Sequence, residues 1–154
     1  MDSPYSAIAA TNGADANLTS LSTGASIHPE KERNSTLAQM MAQAVAAARS
    51  ADAVVFLLGD DWQTEHECHD RDTIELPGNQ AELVANVAAA VGPSVHLVAV
   101  LVHGSSLDIG PILEHTHAVL DAFYPGIYGA KAIADTLFGL SVPGGKLAWT
   151  CVCD

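Results

Sequence analysis

The amino-acid sequence predicts an α/β fold built on a mostly parallel β-sheet, and three observations carry that expectation. Residues 53–58 are an unbroken apolar run, Ala-Val-Val-Phe-Leu-Leu, and residues 95–102 are nearly so. Strands that are apolar on both faces belong to sheets buried on both faces, which parallel sheets typically are. Each run leads into a polar loop and then into a stretch with helical spacing of apolar residues. The resulting order, β-loop-α-β-α-β-α-β, implies parallel strands joined by right-handed crossovers.

The elements follow in order. Residues 1–33 are rich in Ala, Ser, Thr, Asn and Gly, show no sustained periodicity, and are expected to form a poorly ordered arm. The domain proper is expected over residues 34–154. Asn34 and Ser35 offer capping side chains for a helix. Behind them Leu37, Met40, Met41, Ala44, Val45 and Ala48 recur on one helical face. The strand at 53–58 comes next. Another helix is expected from Asn79 to about residue 90, with Leu83, Val84, Val87 and Val91 inward, ended by Gly92-Pro93. The strand at 95–102 carries His96, which reads as a core or edge histidine more readily than as a ligand. A short helix at 109–114, a strand at 118–123, a helix around 127–138 and a last strand at 146–152 complete the chain.

Composition excludes several functions. Eighteen acidic residues against six Lys and Arg leave a net charge of -12. That disfavours nucleic acid, whose phosphates demand cations, and anionic membranes likewise. No run approaches the ~18 apolar residues of a membrane span. The N-terminus lacks a basic segment followed by an apolar stretch, so no signal peptide is read. Three cysteines make no disulfide framework. Cys151 and Cys153 would point to opposite sides of a strand.

The chemistry concentrates in residues 59–80, GDDWQTEHECHDRDTIELPGNQ, with seven carboxylates, two histidines and a cysteine. The segment lies between a strand and a helix, at the carboxyl edge where α/β proteins place ligands. The loops at 103–106 and 124–126 share that edge. A carboxylate among carboxylates tends to hold its proton near neutral pH, as a general acid must. His66, Cys68 and His69 are soft donors, but the spelling His-Glu-Cys-His does not set two histidines one helical turn apart. Trp62 offers an indole that could stack on a sugar or pack.

Several ordered motifs resemble one known family. They are Ala51-Asp52-Ala53-Val54-Val55, Glu65-x-Glu67-x-x-Asp70-Arg71, Leu76-Pro77-Gly78-Asn79-Gln80, Tyr124-Pro125-Gly126, Ala132-Ile133-Ala134-Asp135, Leu137-Phe138-Gly139 and Pro143-Gly144-Gly145-Lys146-Leu147. Over residues 36–150 the chain resembles the C-terminal α/β sandwich domain of family 3 glycoside hydrolases, among them β-xylosidases, α-L-arabinofuranosidases and β-glucosidases. The resemblance implies a three-layer, doubly wound α/β sandwich, truncated on its N-terminal side. It implies hydrolysis of O-glycosyl bonds at the ends of oligosaccharides, with no cofactor. A (β/α)8 barrel, in cis or in trans, would supply the nucleophilic aspartate. The acid/base glutamate falls on Glu65, with Glu67 as its competitor, and Asp70-Arg71 is expected to pair or to fix the loop. The turn His103-Gly104-Ser105-Ser106 and the closing Cys151-Val152-Cys153 depart from the family pattern. The alternative is a non-catalytic carbohydrate-binding or remnant domain.

Overall fold

The two apolar runs pair side by side. In the computed structural model, which describes residues 2–13, 15 and 17–148, β1 (Ala53–Gly59) and β2 (His96–Val102) are parallel neighbours and β3 (Ala118–Asp121) adds to β2, also parallel. The order in the sheet is β1-β2-β3. The helices are α1 (Pro4–Thr11), α2 (Asn34–Ala48), α3 (Gln80–Ala90), α4 (Gly110–Leu113) and α5 (Gly129–Leu137). This is the parallel α/β architecture that the sequence predicts.

Register decides which residues share a face. Phe56, Ala99 and Val119 stand in one row, and Leu58 and Leu101 in another on the same face. That face meets Ala48 of α2 and Leu83, Val84 and Val87 of α3 in one apolar cluster. Val84, Ala99 and Ile112 are fully buried, and truncating a buried isoleucine such as Ile112 to alanine typically costs ~2–5 kcal/mol. Val100, on the opposite face by strand alternation, is fully buried, and Ala130, Ile133 and Ala134 of α5 are also buried.

Gly59 ends β1 with φ +149°, and a Cβ there would lie 1.7 Å from the carbonyl oxygen of Val102. Only glycine lets the chain leave β1 this close to β2. The free edge of β1 lines a groove of about 510 Å³ together with residues 20–25 and Ala44, Ala47 and Ala48 of α2.

Four details differ from expectation. The segment expected to be an arm contains α1, which packs against α5. Ser3 caps it by accepting from the Ser6 N–H, and Pro4 starts it; a helix so short leaves little periodic signal. Arg33 rather than Asn34 or Ser35 stands at the N-cap of α2, without a side-chain cap bond, because both candidates lie inside the first turn. The expected strand at 146–152 shows no pairing over 146–148, where Leu147 is exposed, for want of a neighbouring ladder. Residues 149–152, with Cys151, and Cys153 beyond them lie outside the described residues. Finally, His96 is exposed at the amino end of β2, edge-on to His117, far in the strand from the carboxyl edge.

Candidate active site

All three strands point their carboxyl ends the same way, so the segments after β1, β2 and β3 meet on one edge. Asp60 is the residue on which they converge. It follows Gly59 directly and is 8% exposed. Its carboxylate accepts from the Gly104 N–H at 3.2 Å, the Ser105 hydroxyl at 3.0 Å and the Tyr124 hydroxyl at 2.9 Å. A buried carboxylate needs such donors to offset its lost hydration. Gly104 must be small here, since a Cβ would stand 2.6 Å from the Tyr124 ring. Beside this node, His103 faces Asp121 at 3.1 Å, with the Ser105 carbonyl on its other ring nitrogen.

The acidic loop begins with a single capped turn. The Asp61 carboxylate accepts from the N–H groups of Gln63 and Thr64 and from the Thr64 hydroxyl, at 2.9, 3.0 and 2.9 Å. The Asp61 carbonyl accepts from the N–H of Thr64 and of Glu65. His28 closes on the Asp61 carboxylate at 3.1 Å. Burial alone would raise the Asp61 carboxyl, but bonds from Thr64, His28 and Gln63 outweigh it and hold the pKa below 3.8.

Glu65 ends this turn. It is half-buried, and its Oε2 is shut off from solvent with no hydrogen-bond partner. Glu67, two residues on, is exposed. The Tyr124 phenol is pushed up to about 12, by burial first, then by its bond to Asp60, then by the charges of Asp60, Glu65 and Asp61. Glu65 thus stands within electrostatic reach of the Tyr124-Asp60 pair.

The rest of the loop is held by turn geometry. His66 and His69 exchange both backbone hydrogen bonds across a tight turn whose third residue, Cys68, has φ +67°. Their rings stack 5.0 Å apart. No cluster of metal-ligand geometry occurs among the described residues. Arg71 donates to the Glu75 carbonyl and to the Ser105 hydroxyl. The expected Asp70–Arg71 pair is absent among the described residues; Arg71 fixes the loop instead. A buried amide, Gln80, then anchors the loop's far end to Gly59 and Pro77.

The sequence pattern of the glycosyl hydrolase family 3 C-terminal domain matches residues 1–153. The chain belongs to this family. Among relatives of the family 3 domain, an exo-α-(1→6)-L-arabinopyranosidase of Bifidobacterium longum is 37% identical over 112 residues, 73% of this chain and 14% of its own length. β-D-xylosidase 1 of Arabidopsis thaliana is 43% identical over 110 residues, 70% of this chain and again 14% of its own length. The crystal structure of a GH3 β-glucosidase from Bifidobacterium adolescentis superposes with a TM-score of 0.75 at 31% identity, covering 91% of this chain and 19% of that one. This family 3 domain therefore spans about a seventh of the curated relatives that it matches.

Sequence reasoning did not find Asp60 as the node, nor His28 and Gln80 as anchors. A signal existed for Asp60: an acidic residue immediately after a buried parallel strand. For His28 there was none, because its partner lies 33 positions away.

Proposed function

We propose that this chain supplies the acid/base half of a glycosidase active site, with Glu65 as the proton donor and acceptor. The reaction is hydrolysis of O-glycosyl bonds, on β-linked xylosyl, arabinosyl or glucosyl units at the non-reducing ends of oligosaccharides. The observation that supports it is the unpartnered, solvent-shielded Oε2 of Glu65, held on a turn that Asp61 braces. A shielded carboxyl oxygen without an internal partner carries an unmet hydrogen bond, which a substrate oxygen admitted beside it would satisfy.

In glycosylation Glu65 protonates the leaving oxygen as the anomeric bond breaks. In deglycosylation its carboxylate takes a proton from the incoming water. The nucleophilic carboxylate comes from a barrel domain, in cis or in trans, and retention requires it about 5–5.5 Å from Glu65. The names of the similar β-xylosidases and β-glucosidases support β-linked xylosyl and glucosyl units, and that of the arabinopyranosidase, an exo-α-(1→6) enzyme, supports an arabinosyl unit without its β linkage.

The test is Glu65→Ala in a protein that carries both domains. Hydrolysis of xylobiose falls by about 10²–10⁴-fold. Hydrolysis of an aryl xyloside with a strongly acidic phenol falls far less in its first step, because that leaving group departs without a proton. Full activity of Glu65→Ala on xylobiose, with unchanged circular dichroism, defeats the assignment. Loss in Glu67→Ala instead would move the role two residues on.

A further inference from the structure

We propose that His28 is a positioning residue for the acid/base group: acting through Asp61, it fixes the place of the turn that carries Glu65. The inference rests on Glu65 as the acid/base residue and gives a part in the reaction to a segment that lies ahead of the whole sheet in the chain.

The turn over residues 61–65 takes its shape from within. The Gln63 N–H, the Thr64 N–H and the Thr64 hydroxyl all converge on one carboxylate oxygen of Asp61, Oδ1. Such bonds set local geometry but leave the turn able to move as a unit. Core packing does not hold it, since Trp62 is 72% exposed and Gln63 is exposed as well. Asp60 anchors the chain just before the turn. Beyond that point its place depends on bonds to other segments.

Residues 26–31 supply those bonds. His28 Nε2 lies 3.1 Å from the second Asp61 oxygen, Oδ2, and 3.3 Å from Oδ1. The ionised Asp61 can only accept, so Nε2 carries the proton and donates. Lys31 donates to the Gln63 side-chain carbonyl at 2.8 Å. That second bond is exposed and competes with water, whereas the His28 and Asp61 side chains are only 20% and 31% exposed. The same segment is fixed to the residue before α3: the Ser26 N–H donates to Asn79 Oδ1 at 2.8 Å, and the Ser26 carbonyl accepts from the Asn79 N–H at 3.3 Å. A Cβ on Gly78 would lie 2.0 Å from that carbonyl, so glycine is needed for the approach. His28 therefore ties the start of the acidic loop to its end. A general acid acts only within hydrogen-bond reach of the oxygen it protonates, and a displacement of about 1 Å can cost about 100-fold in rate.

The experiment compares His28→Asn with His28→Gln in a protein that carries both domains, each checked for folding by circular dichroism. Glutamine sets its amide nitrogen where Nε2 stands, while asparagine is one bond shorter and falls short of Asp61. His28→Asn is expected to lower kcat/KM on xylobiose by about 10- to 100-fold. It should leave an aryl xyloside with a strongly acidic phenol nearly unchanged, because that leaving group departs without a proton. A general loss of stability or of substrate binding would lower both alike. His28→Gln should stay close to the parent on both substrates. In an Asp61→Ala background His28→Asn should add little, since the path through Asp61 is already cut. Parent-like hydrolysis of xylobiose by His28→Asn, equal losses on the two substrates, no rescue by glutamine, or losses that add to those of Asp61→Ala would each overturn the proposal. Loss of the folded state in His28→Asn would do the same, since the role would then be structural. Failure of the Glu65 reading shows separately, as full xylobiose hydrolysis by Glu65→Ala.

Discussion

The side-chain amide of Gln80 closes a two-bond ring with the backbone of Gly59, accepting from its N–H at 2.8 Å and donating to its carbonyl at 2.7 Å. It does for the end of β1 what a further strand would do. The same amide donates to Pro77 at 2.8 Å, so one buried side chain joins the strand that leads into the acidic loop to the residues that end it.

Replacing Gln80 by Leu should orphan the Gly59 N–H and carbonyl and cost about 2–4 kcal/mol. Urea denaturation would show a lowered midpoint at unchanged slope. Gln80→Glu keeps an acceptor but loses the amide donors, and should also destabilise. A Leu variant as stable as the parent would mean that water satisfies these groups equally well.

Cys68 should be better as glycine. At φ +67° an L-residue is strained by roughly 1–2 kcal/mol, whereas glycine is not. Part of the gain is returned through the greater freedom of glycine in the unfolded chain. The expected net for Cys68→Gly is a stabilisation of about 0.5–1 kcal/mol, read from thermal or urea unfolding.

The Tyr124 phenol should titrate near 12 in the folded chain, seen as late growth of tyrosinate absorbance that Tyr124→Phe removes. Asp60→Asn should bring it down, since both the hydrogen bond and the charge of Asp60 favour the neutral phenol. A phenol raised in the folded state holds its proton where the unfolded chain has lost it. Its contribution is therefore complete below pH 10 and disappears as pH rises toward 12. Unchanged titration in Asp60→Asn would contradict the pairing seen at 2.9 Å.

Asp61 has the opposite sign. Its lowered carboxyl is ionised in the folded chain where the unfolded chain binds a proton. It stabilises fully above about pH 4 and progressively less as pH falls through its folded value. Asp61→Asn should be less stable near neutrality and should lose less stability on acidification, measured by denaturant midpoints across the acid range. Parallel curves for the two proteins would refute this.

The helices and strands were legible because their signals are local. β1 and β2 are short apolar runs bounded by polar turns, and α2 and α3 repeat their apolar residues at helical spacing. Both patterns express burial on a backbone of fixed period. α1 was not legible, because eight residues of mixed Ala, Ser and Thr carry no periodic face; its start is set by the Ser3 cap and Pro4. The loop after β1 was legible as an acidic segment at the carboxyl edge, since carboxylates so dense in one stretch mark it by composition alone.

What the sequence by itself determined is the parallel α/β architecture, its family, and the acidic loop at the carboxyl edge. Tertiary structure alone decided how that edge is assembled. It brought Asp60, Ser105 and Tyr124 together across up to 64 positions, placed His28 on Asp61, and turned Glu65 inward while Glu67 stayed in solvent. Periodicity and composition act over a few residues, whereas a buried carboxylate takes its partners from whatever the folded chain sets within three ångströms of it, at any distance along the sequence.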